Sequence, residues 1–325
     1  MKKIDKTDKK ILYELDLNCR QSNTHIGKKI GLSKKVVSYR IDKLLEKGVI
    51  NNFYTVIDTF KLGYSVLRVY ITFQYMVSSD IKEKIIDYFV NYKNSWVVGT
   101  DKSEIDLSLV IWVMDSYEFY QFWNKTLDLY EDYFAKTTIS LYIQAIDYKK
   151  SYLNEPMIEE SNRELYRITC TKNYVKIDEI DYKLLNEIAM DARKSLVELA
   201  EILGCSSQDV KYRINNLIKK EIIRAFRIHI NYQKLQLHRF KVDIYLKKHI
   251  MRTPIFNYLK TKPYLQCINV AIGWADIEPE FVVEDSDSLT QIIDNLNTNF
   301  PNSIRKFTYW MPEKIHRERW LPVLY

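Results

Sequence analysis

The sequence predicts an α+β protein of two tandem units, each a three-helix segment running into extended strands and then a βαββαβ sandwich of ferredoxin-like type. Three observations carry this expectation. The segment KKIGLSKKVVSYRIDKLLEKGVI at 28–50 returns as EILGCSSQDVKYRINNLIKKEII at 201–223. The match runs without a gap from the Ile4/Ile177 pair to the Ile50/Ile223 pair, each pair 173 positions apart (204 − 31 for the glycines), with about a third of positions identical. Within each unit the apolar spacing then changes from helical to alternating.

In unit one, Ile11, Leu12 and Leu15 mark one side of a first helix that starts in Ile4-Asp-Lys-Thr-Asp8. Ile26 and Ile30 face inward from a second helix ending at Gly31, and Val37, Ile41, Leu44 and Leu45 form the buried stripe of a third. Unit two supplies Leu184, Leu185 and Ile188, then Leu199 and Leu203, then Val210, Ile214, Leu217 and Ile218. Its second helix opens on Ser195-Leu-Val-Glu198, a capping box in which Ser and Glu satisfy free backbone N–H groups reciprocally. After Gly48-Val-Ile the chain becomes extended at 53–57, turns at Leu62-Gly63 and extends again over 64–75. That pattern predicts a two-stranded wing running into a sheet. The remainder reads as helix 80–92, a strand, strand 105–113, helix 116–130 and strand 137–145. Gly99 is matched with Gly273-Trp-Ala-Asp276, with four extra residues in unit one, and Asp115-Ser116 with Asp285-Ser286. The resulting domains are winged helices at 1–60 and 177–233 and sheet domains at 61–153 and 234–325. Between them lies a polar linker at 154–176 that holds Pro156 and Glu159-Glu160.

The chain has 325 residues, a net charge of +7 and an isoelectric point near 8.9, which permits nucleic-acid binding without requiring it. Its apolar runs are too short to predict a membrane span, and no apolar stretch follows the charged N-terminus as a signal peptide would need. Cys19, Cys170, Cys205 and Cys267 are far apart and read as reduced thiols of a cytoplasmic protein. The histidines at 25, 229, 238, 249 and 316 show no metal spacing. A Gly-rich phosphate loop, a nucleophile elbow and an HExxH run are all missing. No cofactor, metal or catalytic residue is therefore expected.

Three helices with a tight Gly turn before the third, then extended chain, describe a winged helix-turn-helix. Gly31 or Gly204 supplies the left-handed conformation that ends the second helix. Ser33 or Ser206 caps the third, whose N-terminal turn presents free N–H groups and partial positive charge toward phosphate. Such a helix lies in the major groove. The outward residues in unit one are Lys34, Lys35, Ser38, Tyr39 and Lys43, with Arg40 flanking. In unit two they are Ser207, Gln208, Lys211 and Tyr212, with Arg213 flanking. Lysines and arginines suit phosphate, and Gln208 and the serines suit base edges.

With these motifs in view, the chain resembles the Lrp/AsnC (feast/famine) regulators. The resemblance rests on Ile4-Asp-x-x-Asp-x-x-Ile-Leu, Arg20-x-Ser, Ile30-Gly-Leu-Ser, Tyr39-Arg-Ile-x-x-Leu, Gly48-Val-Ile and Lys61-Leu-Gly. Ile177-Asp-x-x-Asp, Ala192-Arg-x-Ser, Leu199-Ala-x-x-Leu-Gly and Tyr212-Arg-Ile-x-x-Leu repeat it. The family implies a transcription regulator that binds double-stranded DNA, with a βαββαβ (RAM-type) domain that pairs subunits and binds amino acids or other small effectors. A usual member has one such unit, so this chain looks like two fused, an internal pseudo-dimer that associates further through its sheet domains. By the same resemblance Gly99, Thr100, Asp101, Asp106, Gly273, Trp274 and Asp276 are the effector candidates, around the family's Gly-x-x-Asp turn. Glu221 stands where unit one has Gly48, and Gln236 where it has Gly63, so the second wing is expected to turn differently. Siroheme decarboxylases share this architecture as enzymes. Their Trp-Pro-Tyr-Asn run has only a faint echo here in Lys262-Pro-Tyr-Leu. A third reading is an architectural protein that coats DNA.

Charge separates the units. Residues 1–50 hold 13 Lys/Arg against 6 Asp/Glu, whereas residues 177–227 hold 9 of each. The contrast comes from the tail (Lys2, Lys3, Lys6, Lys9, Lys10) and from Lys28-Lys29, set against Glu198 and Glu201. Unit one is therefore expected to be the stronger DNA anchor.

Overall fold

The computed structural model describes residues 4–101, 105–154, 156–157 and 159–323. Lys2, Lys3 and most of the acidic turn between Asp101 and Asp106 lie outside them. Unit one begins with α1 (Lys6–Leu17), α2 (Asn23–Ile30) and α3 (Lys34–Glu46), and unit two places α6 (Glu179–Ala189), α7 (Leu196–Leu203) and α8 (Ser207–Lys219) correspondingly. Local chemistry sets their ends. Gly31 and Gly204 stop α2 and α7 at φ 76° and 65°, and Ser33 and Ser206 cap α3 and α8. Buried faces are those the spacing predicts, except that Ile30 and Leu203 are half-buried against the core and Leu45 and Ile218 stand 37% and 42% exposed at the edge of the stripe.

The strand after each third helix departs from expectation. β1 (Ile50–Ile57) forms no hairpin with β2 (Ser65–Phe73); it pairs antiparallel with β7 (Ile223–Ile230), the corresponding strand of the other unit. The two winged helices are thus one body with a shared ribbon. Their contacts are reciprocal: Cys19 N donates to Phe226 O and Ala192 N to Phe53 O, both at 2.9 Å. Asp58 N donates to Ile222 O and Asn231 N to Val49 O. The guanidinium of Arg20 lies over Phe226 and that of Arg193 over Phe53, at 5.6 and 5.2 Å from the ring centres.

Each sheet domain has the βαββαβ order. Unit one has β2, α4 (Ser79–Asn91), β3 (Ser95–Asp101), β4 (Leu107–Val113), α5 (Ser116–Tyr130) and β5 (Phe134–Tyr148). A strand in the polar linker, β6 (Glu164–Thr169), extends β5, and its Tyr166 packs on Tyr54 and Val56. Unit two has β8 (His238–Leu246), α9 (Arg252–Leu259), β9 (Leu265–Ile272), β10 (Glu278–Val283), α10 (Ser286–Asn299), β11 (Ile304–Trp310) and β12 (Pro312–Glu318). The path of pairing is β11-β8-β10-β9-β5-β2-β4-β3-β12. Because only Met311 separates β11 from β12, the ends of the path meet. The last strand of each unit lies half in its own sheet and half along the other unit's, as β5 does on β2 and then β9.

Alternation sorts the side chains. Val69 and Ile71 of β2 face α4 and α5, while Val242 and Ile244 of β8 face α9 and α10. The opposite positions, Arg68, Tyr70, Lys241 and Asp243, turn inward between the sheets. There Arg68 grips Glu278 through two bonds of 2.5 and 2.8 Å, with both residues under 5% exposed.

Two further expectations are corrected. Glu221 and Gln236 hold φ of 56° and 58°, the same left-handed region as Gly48 (64°) and Gly63 (94°), so the second unit turns as the first does. Glu221 is held there by ion pairs to Lys61 (2.5 Å) and Arg224 (3.0 Å). The length difference between units does not lie at Gly99. The Asp106 carboxylate accepts from Phe73 N, and Asp276 from Leu246 N in the same way. Offsets are 173 for the donors (246 − 73) and 170 for the acceptors (276 − 106), so the missing residues fall between them, before β9. There the 13-residue α4 is answered by the 8-residue α9 and a short 3₁₀ turn. Gly99 is therefore a strand residue under Ile315 and no counterpart of Gly273.

Candidate nucleic-acid interface

The third helix of each unit is presented by a Ser cap on one side and by a buried stripe on the other. On α3, Val37, Ile41 and Leu44 are buried. Lys34, Lys35 and Tyr39 point to solvent, with Tyr39 62% exposed, and Ser38 is half-buried beside them. On α8, Val210, Ile214 and Leu217 are buried, Gln208, Lys211 and Tyr212 are exposed (Tyr212 by 70%), and Ser207 is half-buried. The two faces are alike in shape.

Four of the predicted basic residues are already engaged. Arg40 bridges Asp5 (2.9 Å) and Asp8 (2.7 Å), tying α3 to the start of α1. Arg213 makes the same clamp on Asp178 (2.8 Å) and Asp181 (2.6 Å). These pairs explain why Asp-x-x-Asp and Tyr-Arg-Ile recur together in both units. Lys29 is drawn to Glu14 at 2.5 Å, and Lys43 to Glu46 at 2.6 Å. Lys28, Lys34, Lys35 and Lys211 remain exposed with no carboxylate partner among the described residues.

The N-termini of the helices separate the units more sharply than net charge does. Ser22 caps α2 by accepting from His25 N, and Ser33 caps α3 by accepting from Val36 N. Neither first turn carries an acid. In unit two the positions of His25 and Val36 are Glu198 and Asp209, and both complete capping boxes. Glu198 accepts from Ser195 N at 2.8 Å, and Asp209 accepts from Ser206 N at 3.2 Å and Ser206 Oγ at 2.6 Å. Hydrogen bonds from the backbone and hydroxyl of Ser195 hold Glu198 below the usual carboxylate range, and those of Ser206, hydroxyl first, do so for Asp209. A fixed negative charge thus stands at each helix end of unit two where a phosphate would approach, while unit one leaves both ends open.

The effector candidates scatter by role. Asp106 and Asp276 anchor backbone N–H groups, and Gly99 and Thr100 lie in β3, with Thr100 Oγ1 3.1 Å from His316 Nε2. Gly273 turns the chain at φ 87°. Asp101 and Trp274 instead reach the space between the sheets. Trp274 packs tilted against Tyr70 with ring centres 4.5 Å apart, and both Asp101 oxygens are buried without a hydrogen bond. Burial pushes the Asp101 carboxyl up to about 7. The partly charged lining of that space, Arg68, Lys241, Asp243 and Glu278, has no signal in the sequence beyond unexpected charges at alternating strand positions.

With this geometry, both helical segments are winged helix-turn-helix domains. Residues 4–51 match the model of the winged helix-turn-helix DNA-binding domain. Residues 177–218 match the AsnC-type helix-turn-helix domain, so the chain carries two helix-turn-helix segments in tandem. The HTH-type transcriptional regulator Rv2324 of Mycobacterium tuberculosis is 43% identical over 65 residues, 20% of this chain and 44% of that protein. The proline dehydrogenase transcriptional activator of Rhodobacter capsulatus is 33% identical over 86 residues, 26% of this chain and 53% of that protein. The chain spans about half the length of the curated relatives it matches. Among solved structures, the siroheme decarboxylase NirDL aligns over 97% of this chain and 93% of its own, with a TM-score of 0.63 and 10% identity. That likeness shows the fold of the whole tandem. No helix among the described residues is long and apolar enough to cross a membrane.

Proposed function

We propose that the chain is a cytoplasmic transcription regulator of Lrp/AsnC type that binds double-stranded DNA as an internal pseudo-dimer, with unit one as the principal grip. The observation that carries this reading is the pair of open helix N-termini in unit one, set beside exposed Lys28, Lys34 and Lys35. Ser33 and Ser38 with Tyr39 lie on the same helix for contact with phosphates and base edges. Unit two keeps Ser206, Ser207, Gln208, Lys211 and Tyr212 for a weaker, more discriminating contact against its own carboxylates. Arg40 and Arg213 then serve as clamps that set helix orientation. Any effector is assigned to the inter-sheet space at Asp101 and Trp274. Association between chains, through the sheet domains, adds to a pairing already made within one chain.

The test is fluorescence anisotropy on a duplex selected from random DNA by the purified protein. Lys34→Glu with Lys35→Glu should weaken binding by more than tenfold and lower the salt slope by about 2. Lys211→Glu should cost under threefold. Equal losses would overturn the asymmetry, and no DNA affinity at low salt would overturn the reading itself. A steep salt slope with no preferred site would point to a DNA-coating protein instead. The enzyme reading has one observation in its favour, the NirDL fold over both units. It predicts a Soret-type band on adding siroheme, together with loss of DNA affinity.

A further inference from the structure

A cavity of about 450 Å³ opens where the second winged helix meets the first sheet domain. Its walls are Val90 near the end of α4, Asn186 and Met190 at the end of α6, and Arg319, Trp320 and Leu321 after β12. Two arginines reach this corner. Arg317 is committed to the backbone, its Nε donating to Ser95 O at 3.1 Å and its Nη1 to Val90 O, which closes the last turn of α4. At the corresponding end of unit two, where β9 begins at Leu265 as β3 does at Ser95, the linker's Arg163 makes the equivalent closure alone. It donates to Leu265 O at 2.8 Å and Pro263 O at 3.1 Å.

Arg319 is therefore a second arginine where one suffices. Its backbone N–H is bonded to Trp96 O at 3.0 Å, but its half-buried guanidinium has no carboxylate or carbonyl acceptor among the described residues. Beside it the indole of Trp320 is stacked on Tyr54 at 4.3 Å, and its Nε1–H is sealed from water without an acceptor. The nearby carboxylate of Glu318 is turned away to His229, 3.2 Å distant. Burial presses both guanidinium groups toward the neutral form, and the charge of Arg319 adds to this at Arg317. An uncompensated cation faces one cavity whose other walls mix apolar Val90, Ala189, Met190 and Leu321 with polar Asn186, His316 and Glu318.

We propose that this corner is a binding site for a small organic carboxylate with an apolar body. The carboxylate sits on the Arg319 guanidinium, and the body lies against Val90, Met190 and Leu321. A carboxylate suits the fork of a single arginine bidentately, whereas a phosphate-bearing ligand would want more than one free cation or a helix N-terminus. The volume is that of a small-metabolite pocket. The assignment stands independently of DNA binding.

Ligand-observed NMR on the full chain, with benzoate, indole-3-acetate and hexanoate each paired with its neutral amide, tests it. At least one acid should bind saturably with its amide at least tenfold weaker. Arg319→Gln should weaken the acid at least tenfold, and Met190→Trp should block it by filling the cavity without touching charge. A thermal melt of each variant shows that it folds, and should Arg319→Gln fail to fold, Met190→Trp decides. Equal binding of acid and amide, binding unchanged in the folded variants, or no acid bound at all would overturn the site. Displacement of the acid by inorganic phosphate at lower concentration would overturn the choice of carboxylate.

Discussion

Glu221 occupies a left-handed backbone position that glycine fills in unit one, and it does so with two cations at its carboxylate. The conformation costs a residue with a Cβ about 1–2 kcal/mol, and exposed ion pairs return less than about 1 kcal/mol each. Glu221→Gly should therefore change the stability read from urea unfolding by less than about 1 kcal/mol, while Gly48→Ala should destabilise by about 1–2 kcal/mol. Asp101 acts through pH. Its ordinary value of 3.8 is raised to about 7 by burial, against the lowering pull of the Lys241 and Arg239 charges. The folded state thus holds the proton more tightly. That contribution is complete below about pH 4 and is lost as pH rises through about 7. Asp58, raised by burial to about 6, adds in the same direction. Melting curves should show Asp101→Asn gaining over the wild type at about pH 8, by an amount on the order of 1 kcal/mol or more, and little gain at about pH 4. A constant difference across that range would contradict the assignment.

Among the elements, α3 and α8 share length, cap residue and buried stripe, and differ at one decisive place: Val36 in one is Asp209 in the other. Exchanging them is a direct measure of how much the helix end matters. Asp209→Val should strengthen DNA binding and Val36→Asp should weaken it by threefold or more, as read by anisotropy at fixed salt. These helices are legible in the sequence because their determinants are local. Gly31 with Ser33, Gly204 with Ser206, and the Ser195–Glu198 box are each decided within a few residues. The wing departs from expectation for the opposite reason. Strand character in 50–57 is local, but its partner is chosen by whichever edge the rest of the chain brings alongside, and that edge is β7. The linker strand β6 has only a short alternation, Tyr166 and Ile168, masked by the charged residues around it.

At the scale of the molecule, one chain makes both the ribbon and the joined sheets that two chains would otherwise have to make. Expressed alone, residues 4–153 would bare the edge of β1, the half of β5 that pairs with β9, and the apolar contacts of α1. This half-chain should appear as a dimer or aggregate in size-exclusion chromatography with light scattering, whereas the full chain should unfold in a single transition that includes both units. A folded, monomeric half-chain would show that the units are independent. The buried Arg68–Glu278 and Arg227–Asp16 pairs, each with partners on different units, favour one cooperative body, since neither charge can stay buried alone.

By itself the sequence determined the duplication, the three helices of each unit, their caps and the βαββαβ order, because those depend on spacing and on short-range hydrogen bonding. The charge contrast between the units was also there to be read. Tertiary structure alone decided which cations stay free: Arg40, Arg213 and Lys29 are bound to carboxylates distant in sequence, and Lys28, Lys34 and Lys35 are left facing solvent. It also decided the strand exchange, the ring of β-strands, and the corner where Arg319 is left without a carboxylate partner. The physical reason is common to all of these. Caps and periodicity act over one or two turns of chain, whereas the partner of an edge or of a charge is set by folding together segments far apart in the sequence.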